Sequence, residues 1–191
     1  MNSPSILKNI FNNTEAKEIL EWPFDFRVCE PYLLSSIWPI SVSEELLVVA
    51  EDGAGGVYTI QDSIDPDLSP VIFISSEGQA GKVANNLIEF LAIIVALPYW
   101  RDLLKFSAGG KLEEMCKAGF FLERDMYEDD PEIDDKKKII IEAIGLPDIS
   151  EPIQTLFDSV NSGTVVEIRA RDGTLYGSLF NRFSVGENRM W

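Results

Sequence analysis

Residues 87–97, LIEFLAIIVAL, form the longest apolar run in the chain and are broken only by Glu89. An apolar surface nearly all round marks a helix buried at the centre of a fold, and the pattern predicts one from about Lys82 to Leu97. Two short β-branched and aromatic segments precede it, 57–60 (VYTI) and 71–74 (VIFI), each bounded by turn residues. They are expected to pair antiparallel across a ten-residue loop. Earlier in the chain, Thr14 followed by EAKEILEW predicts a short helix capped by Thr14 and ended at Trp22-Pro23. Residues 23–40 carry three prolines among aromatics and read as irregular chain packed on the core. Ser43-Glu44-Glu45-Leu46 has the form of a helix start, which predicts a helix from there to about Ala50 closed by Gly53.

Beyond Pro98 the pattern predicts a short helical piece through Leu104, then helices over 111–119, over 134–144 with Gly145 as its stop, and from a Ser150 cap to about Val160. The chain ends in two alternating segments, 164–170 and 174–180, joined by Arg171-Asp172-Gly173, a strong hairpin signal. Helices, a hairpin, helices and a second hairpin describe an α+β fold: a single domain over residues 1–191, its antiparallel sheet packed against several helices. Residues 98–191 would complete that domain with their helices and hairpin.

Histidine is absent, which excludes Ser-His-Asp and Cys-His couples and imidazole ligation of metals. Cys29 and Cys116 match neither a metal motif nor a disulfide scaffold and read as buried free thiols of a reducing cytosol. The N-terminus lacks the basic and apolar regions of a signal peptide, and no apolar stretch reaches the roughly 20 residues needed to span a bilayer. A cytoplasmic location is expected. Residues 77–83, EGQAGKV, place only two residues between their glycines and have Val83 where a phosphate loop needs a hydroxyl, so they read as a turn into the following helix. No cofactor or metal site is predicted. A carboxylate-based hydrolase or transferase using, for example, Glu77 with Asp62 is an alternative that nothing in the spacing requires.

Charge adds the most information. Against 32 acids stand 16 bases, a formal net charge of −16, which disfavours nucleic acid and anionic lipid as direct partners. No Lys or Arg occurs between Arg27 and Lys82, whereas nine acids do, so this stretch alone carries −9. Such a band either keeps the chain soluble or presents a negative face to a basic protein. The candidate partner-binding residues are Glu51, Asp52, Asp62, Asp65, Asp67 and Glu77, expected near one end of the sheet. The acidic run 125–135 lacks the glycine of a Ca²⁺ loop and contains Pro131. It reads as a solvated loop, with Asp129, Asp130, Glu132, Asp134 and Asp135 as secondary partner-binding candidates.

Several of these features occur together in one known family. An expected acidic amphipathic helix runs into Asp52-Gly53-Ala54-Gly55-Gly56-Val57-Tyr58, a strand and a Ser76-Glu77-Gly78 turn follow, and a helix with Ala84-Asn85-Asn86-Leu87-Ile88-Glu89-Phe90-Leu91 comes next. This resembles the SUKH superfamily, with its DGxGGxY turn and its later A-x-[SN]-[LF]-x-E-[FL]-L helix, most clearly over residues 43–95. The Leu-Pro-x-x-Tyr entry common in the family is replaced here by Ile40-Ser41-Val42-Ser43-Glu44. The resemblance implies an α+β domain without catalytic residues. In bacteria it implies an immunity protein that binds and neutralises a toxin domain, often a nuclease, and it also allows a cytoplasmic regulator or adaptor with no toxin partner.

Overall fold

The computed structural model describes residues 4–163 and 166–187. Its centre is a five-stranded antiparallel sheet in the order β1-β3-β4-β5-β6, formed by β1 (Arg27–Leu33), β3 (Leu46–Glu51), β4 (Val57–Gln61), β5 (Val71–Ile74) and β6 (Ala80–Ala84). Two further short strands, β2 (Ser41–Val42) and β7 (Ile168–Arg169), pair separately as an antiparallel ribbon. Helices α1 (Ser5–Phe11), α2 (Thr14–Glu21), α3 (Leu87–Ala96), α4 (Trp100–Lys105), α5 (Leu112–Asp129), α6 (Ile133–Ile144) and α7 (Pro152–Asn161) complete the described chain. The fold is α+β with an antiparallel sheet, as the order of elements predicts.

Both faces of the sheet are covered. Leu47, Val49, Tyr58, Ile60, Val71 and Phe73 belong to the apolar core shared with the helices, which reaches from Ile6 to Leu179. Leu46, Val48, Val57, Ile72 and Ile74 point the other way and pack with Leu34, Val166 and Ile168 beneath the β2–β7 ribbon. Helix α3 lies in the larger core, with Leu87, Phe90, Leu91 and Ile94 buried as expected. Tyr58 is its aromatic hub, with ring centroids 5.1 Å from those of Phe26, Phe73 and Phe90. The expected pairing of the two central segments is present as Val57↔Ile74, Tyr58↔Phe73 and Thr59↔Ile72.

Several local expectations are corrected. Residues 46–51 are a strand, not a helix, because Leu46 to Ala50 are buried on both faces of the sheet and so show no alternation for periodicity to report. The irregular segment expected over 23–40 contains β1. Its Pro31 is accommodated because β1 is an edge strand whose register shifts between Val28 and Tyr32. The predicted helix at 82–97 starts only at Leu87, where the Asn86 side chain accepts from the Glu89 amide, and 80–84 are the edge strand β6. Residues 75–79 therefore make the β5–β6 turn and do not start a helix. Helix α5 runs ten residues past the predicted end at Gly119, taking in the first part of the supposed acidic loop, and α6 begins at Ile133.

The caps differ as well. Asn13, not Thr14, caps α2 by accepting from Ala16 N, and α7 starts with Pro152 in its first turn and no side-chain cap from Ser150. The C-terminal hairpin is reduced to a turn. Ala170 N donates to Thr174 O and Tyr176 N to Ile168 O, while β7 pairs with β2. Thr164 and Val165 of the expected first strand lie outside the described residues. Cys29 is half-buried, but Cys116 is exposed on α5. Among the described residues no helix is long and apolar enough to cross a membrane.

Candidate functional site

Asp52 closes β3 and organises the glycine-rich turn into β4. Its Oδ1 accepts from Ala54 N at 2.9 Å and from Gly56 N at 2.5 Å, and its Oδ2 accepts from Arg101 Nη1 of α4 at 2.7 Å. The other terminal nitrogen of Arg101 pairs with Asp25, whose Oδ1 accepts from Gly53 N at 2.7 Å. The Tyr58 hydroxyl donates to the Asp25 carbonyl at 3.1 Å, and burial pushes its pKa well up. Gly55 has φ +84°, in the left-handed region, and a Cβ on Gly56 would stand 2.9 Å from both Asp52 Oδ2 and the Phe73 ring. In this fold the Asp52–Tyr58 motif is a structural staple. The Asp52 carboxylate, the amides of residues 53–56 and the Tyr58 hydroxyl all bond to the chain's own turn, helix or the segment around Asp25.

Several carboxylates of the predicted acidic face are held within the chain in the same way. Asp52 is 5% exposed. Glu51 is engaged by Arg27 and by the Tyr32 hydroxyl. Asp67 accepts from both the amide and the hydroxyl of Ser5, fixing the start of α1, and Asp65 accepts from Asp67 N. The six residues also fail to gather at one end of the sheet. Glu51, Asp52 and Glu77 sit at the end carrying the β3–β4 and β5–β6 turns, whereas Asp62, Asp65 and Asp67 occupy the β4–β5 loop at the other. The length of β4, on the order of 15 Å, lies between the two sets. Glu77 and Asp62 are therefore too far apart to act on one bond.

At the first end, a cleft of about 390 Å³ lies between the two turns, α4 and the segment around Asn181. Its polar wall carries Glu77, Asp102, Arg101 and Lys105, with Gln79 bonded to Asn181 and to the Ser178 carbonyl. Of the two serines on this wall, Ser75 uses its hydroxyl to accept from the Glu77 and Gln79 amides of its own turn, and Ser76 donates to the Ala54 carbonyl at 2.9 Å.

The secondary candidates are arranged differently. Glu128 and Asp129 end α5, Asp130 to Glu132 form the turn, and Asp134 and Asp135 lie in the first turn of α6. Residues 123–135 contain eight acids and one base, Arg124. Asp134 and Asp135 suit the positive end of α6, but Glu128 and Asp129 sit at the negative end of α5, where a carboxylate costs a few tenths of a kcal/mol. Asp130 is held by Lys136 at 2.6 Å, and Asp134 accepts from the Tyr127 hydroxyl at 3.1 Å. Among the described residues no cation pairs with the exposed carboxylates of Asp129 or Glu132. Beside this shoulder runs a groove of about 720 Å³ lined by Trp22, Tyr99, Leu122, Met126, Asp129 and Asp130, among others. The Trp22 side chain on its rim is 76% exposed.

Sequence reasoning named the carboxylates of this shoulder but missed Trp22 and the second half of α5. The available signal was Phe121, Leu122 and Met126 continuing the helical apolar spacing past Gly119. Exposed aromatic surface and carboxylates that no cation pairs among the described residues meet on this shoulder. No family model, no curated protein and no solved structure matches the chain.

Proposed function

We propose that this chain is a non-enzymatic binding protein that neutralises a cationic protein partner by covering it, an immunity protein of the kind implied by its resemblance to the SUKH superfamily. The partner is a toxin domain of the nuclease type, whose phosphate-holding cations match the carboxylates offered here. The observation that supports this reading is the α5–α6 shoulder, where Asp129 and Glu132, paired with no cation among the described residues, stand beside a groove with Trp22 exposed on its rim. Carboxylates set the association rate and register, and an aromatic seated in a groove supplies the buried contact that makes a complex last. The free thiols and the lack of a membrane-spanning helix among the described residues are consistent with work in the cytoplasm.

The test is co-expression with the protein encoded by the adjacent gene. The expected result is a neighbour that arrests growth alone, growth restored by this chain, and a complex of the two that weakens as salt is raised. A neighbour with no toxic product, or a toxic one left unrestrained, overturns the proposal.

A further inference from the structure

The groove beside Trp22 is one half of a longer track. A second groove, of about 550 Å³, opens between α5 and the start of α7 and is lined by Leu112, Cys116, Phe120, Glu123, Glu151 and Ile153, among others. The two grooves share Tyr99 and follow one another along the same helix: α5 lends residues 122–129 to the groove beside Trp22 and 112–123 to the second. The track therefore spans nearly the whole of α5, about 25 Å at the helical rise. An apolar anchor stands exposed on each half, Phe120 at 69% and Trp22 at 76%.

Three properties of this track define its occupant. The first is backbone chemistry. The walls are helices and the turns between them, and among the described residues no strand lines the track. An extended peptide laid there would find no ladder for its amide and carbonyl groups, whereas a helix arrives with its own satisfied. The second is charge. Six carboxylates line the two grooves (Glu123 and Glu151 in one; Asp102, Asp125, Asp129 and Asp130 in the other); Lys136 of the lining pairs with Asp130 and Arg124 pairs with Asp125, so the acids outnumber these cations three to one. The third is the apolar component supplied by Leu112, Phe120, Leu122, Met126 and Ile153, with Met126 able to repack around whatever side chain arrives.

We infer that the track along α5 seats one amphipathic helix of the partner, its apolar face against Phe120, Tyr99 and Trp22 and its Lys or Arg flanks against the surrounding carboxylates. This inference rests on the cationic-partner reading above and narrows it to one recognition element.

The probe is a labelled Lys/Leu peptide of about 18 residues, patterned so that its leucines share one helical face, titrated by fluorescence anisotropy against the full chain at about 0.05 M salt. A peptide of the same composition, shuffled so that no face forms, is the control. The patterned peptide is expected to bind at least tenfold more tightly. The double variant Trp22→Ala/Phe120→Ala, whose side chains lie outside the core, is expected to erase that advantage with an unchanged melting temperature. In the NMR spectrum, amides of 112–129 and Tyr99 should shift on binding while those of Asp62 and Asp65 stay. Equal, salt-sensitive binding of both peptides, or an advantage that survives the double variant, sinks the helix seat and leaves the cationic-partner reading standing. No binding of either peptide counts against both.

Discussion

Arg101 and Asp52 are 49 positions apart in the sequence, yet Arg101 Nη1 stands 2.7 Å from Asp52 Oδ2. The contact joins α4 to the β3–β4 turn, and Asp25 on the other terminal nitrogen of Arg101 draws in the segment leading to β1. Three parts of the chain thus meet on one guanidinium. The Asp52 side chain is 3% exposed and that of Arg101 34%, so one partner is buried and the other reaches toward water.

Removing Asp52 leaves the buried Gly56 amide without its acceptor and leaves Arg101 with Asp25 as its one ion-pair partner among the described residues, beside a long bond to the Tyr58 hydroxyl. Asp52→Ala is expected to cost about 3 kcal/mol, read as a fall in the urea midpoint with the slope unchanged. Asp52→Asn keeps an acceptor for the two turn amides and loses only the charge, at a cost of about 1 to 2 kcal/mol. Equal costs for the two substitutions would show that the ion pair, and not the amide bonds, holds the turn.

The glycines allow a cleaner comparison. Gly56→Ala drives a methyl to 2.9 Å from the Phe73 ring, inside the aromatic cluster, and is expected to destabilise by about 2 to 3 kcal/mol. Gly78 has φ +82° with open space around it, so Gly78→Ala costs only the left-handed backbone, about 1 kcal/mol. Thermal unfolding of the two variants, measured side by side, checks the order.

Cys29 and Tyr99 make stability sensitive to alkali. Burial, reinforced by Glu51, pushes the Cys29 thiol from 9.0 up to about 11, and burial, reinforced by Glu123, pushes Tyr99 from 10.0 up to about 12. In these windows the folded chain keeps protons that the unfolded chain has released. Unfolding then liberates protons, so rising pH favours it. Melting temperature is expected to be unaffected by these groups at pH 8, to fall from about pH 9 as the Cys29 window opens, and to fall further above pH 10. Cys29→Ala should flatten the first part of that decline. A decline identical to that of the unmodified chain would mean that Cys29 plays no part in it.

The sequence was most legible where one signal acted alone. Residues 57–60 and 71–74 are β-branched and aromatic between turn residues, and they pair as expected. Gly145, at φ +69°, stops α6 where its position implied. The misreadings came from tertiary contacts that supplied what the local pattern lacked. Glu44 and Glu45 imitate a helix start, yet the first accepts from Gln61 Nε2 at 2.6 Å and the second from Ser35 Oγ at 2.9 Å, both contacts of a strand entry. Ala80-Gly81-Lys82 has little strand character of its own. It is strand because it completes β5, and Gly81 admits Leu179, whose Cδ1 would lie 3.0 Å from a Cβ there. The acidic composition was plain from the start, but which carboxylates are already spent on Arg27, Arg101 or Ser5 became visible only once the turns were placed. The same holds for Trp22 and Phe120, since a large apolar residue reads as core until its helix is seen to turn it outward.

The two ends of the molecule can be compared directly by charge reversal. Asp129→Lys with Glu132→Lys alters exposed carboxylates that no cation pairs among the described residues, so melting temperature should stay within about a degree. Association with a cationic partner should slow about tenfold at low salt, and the difference should shrink as ionic strength rises and screening shortens the reach of the field. Asp62→Lys with Asp65→Lys makes the same change of charge at the opposite end of the sheet and avoids Asp67, whose reversal would release the start of α1. If net charge alone steers the partner, both pairs slow association equally. If the α5–α6 shoulder is the docking face, stopped-flow association rates drop for the first pair and change much less for the second, because a steering field weakens with distance from the site it serves.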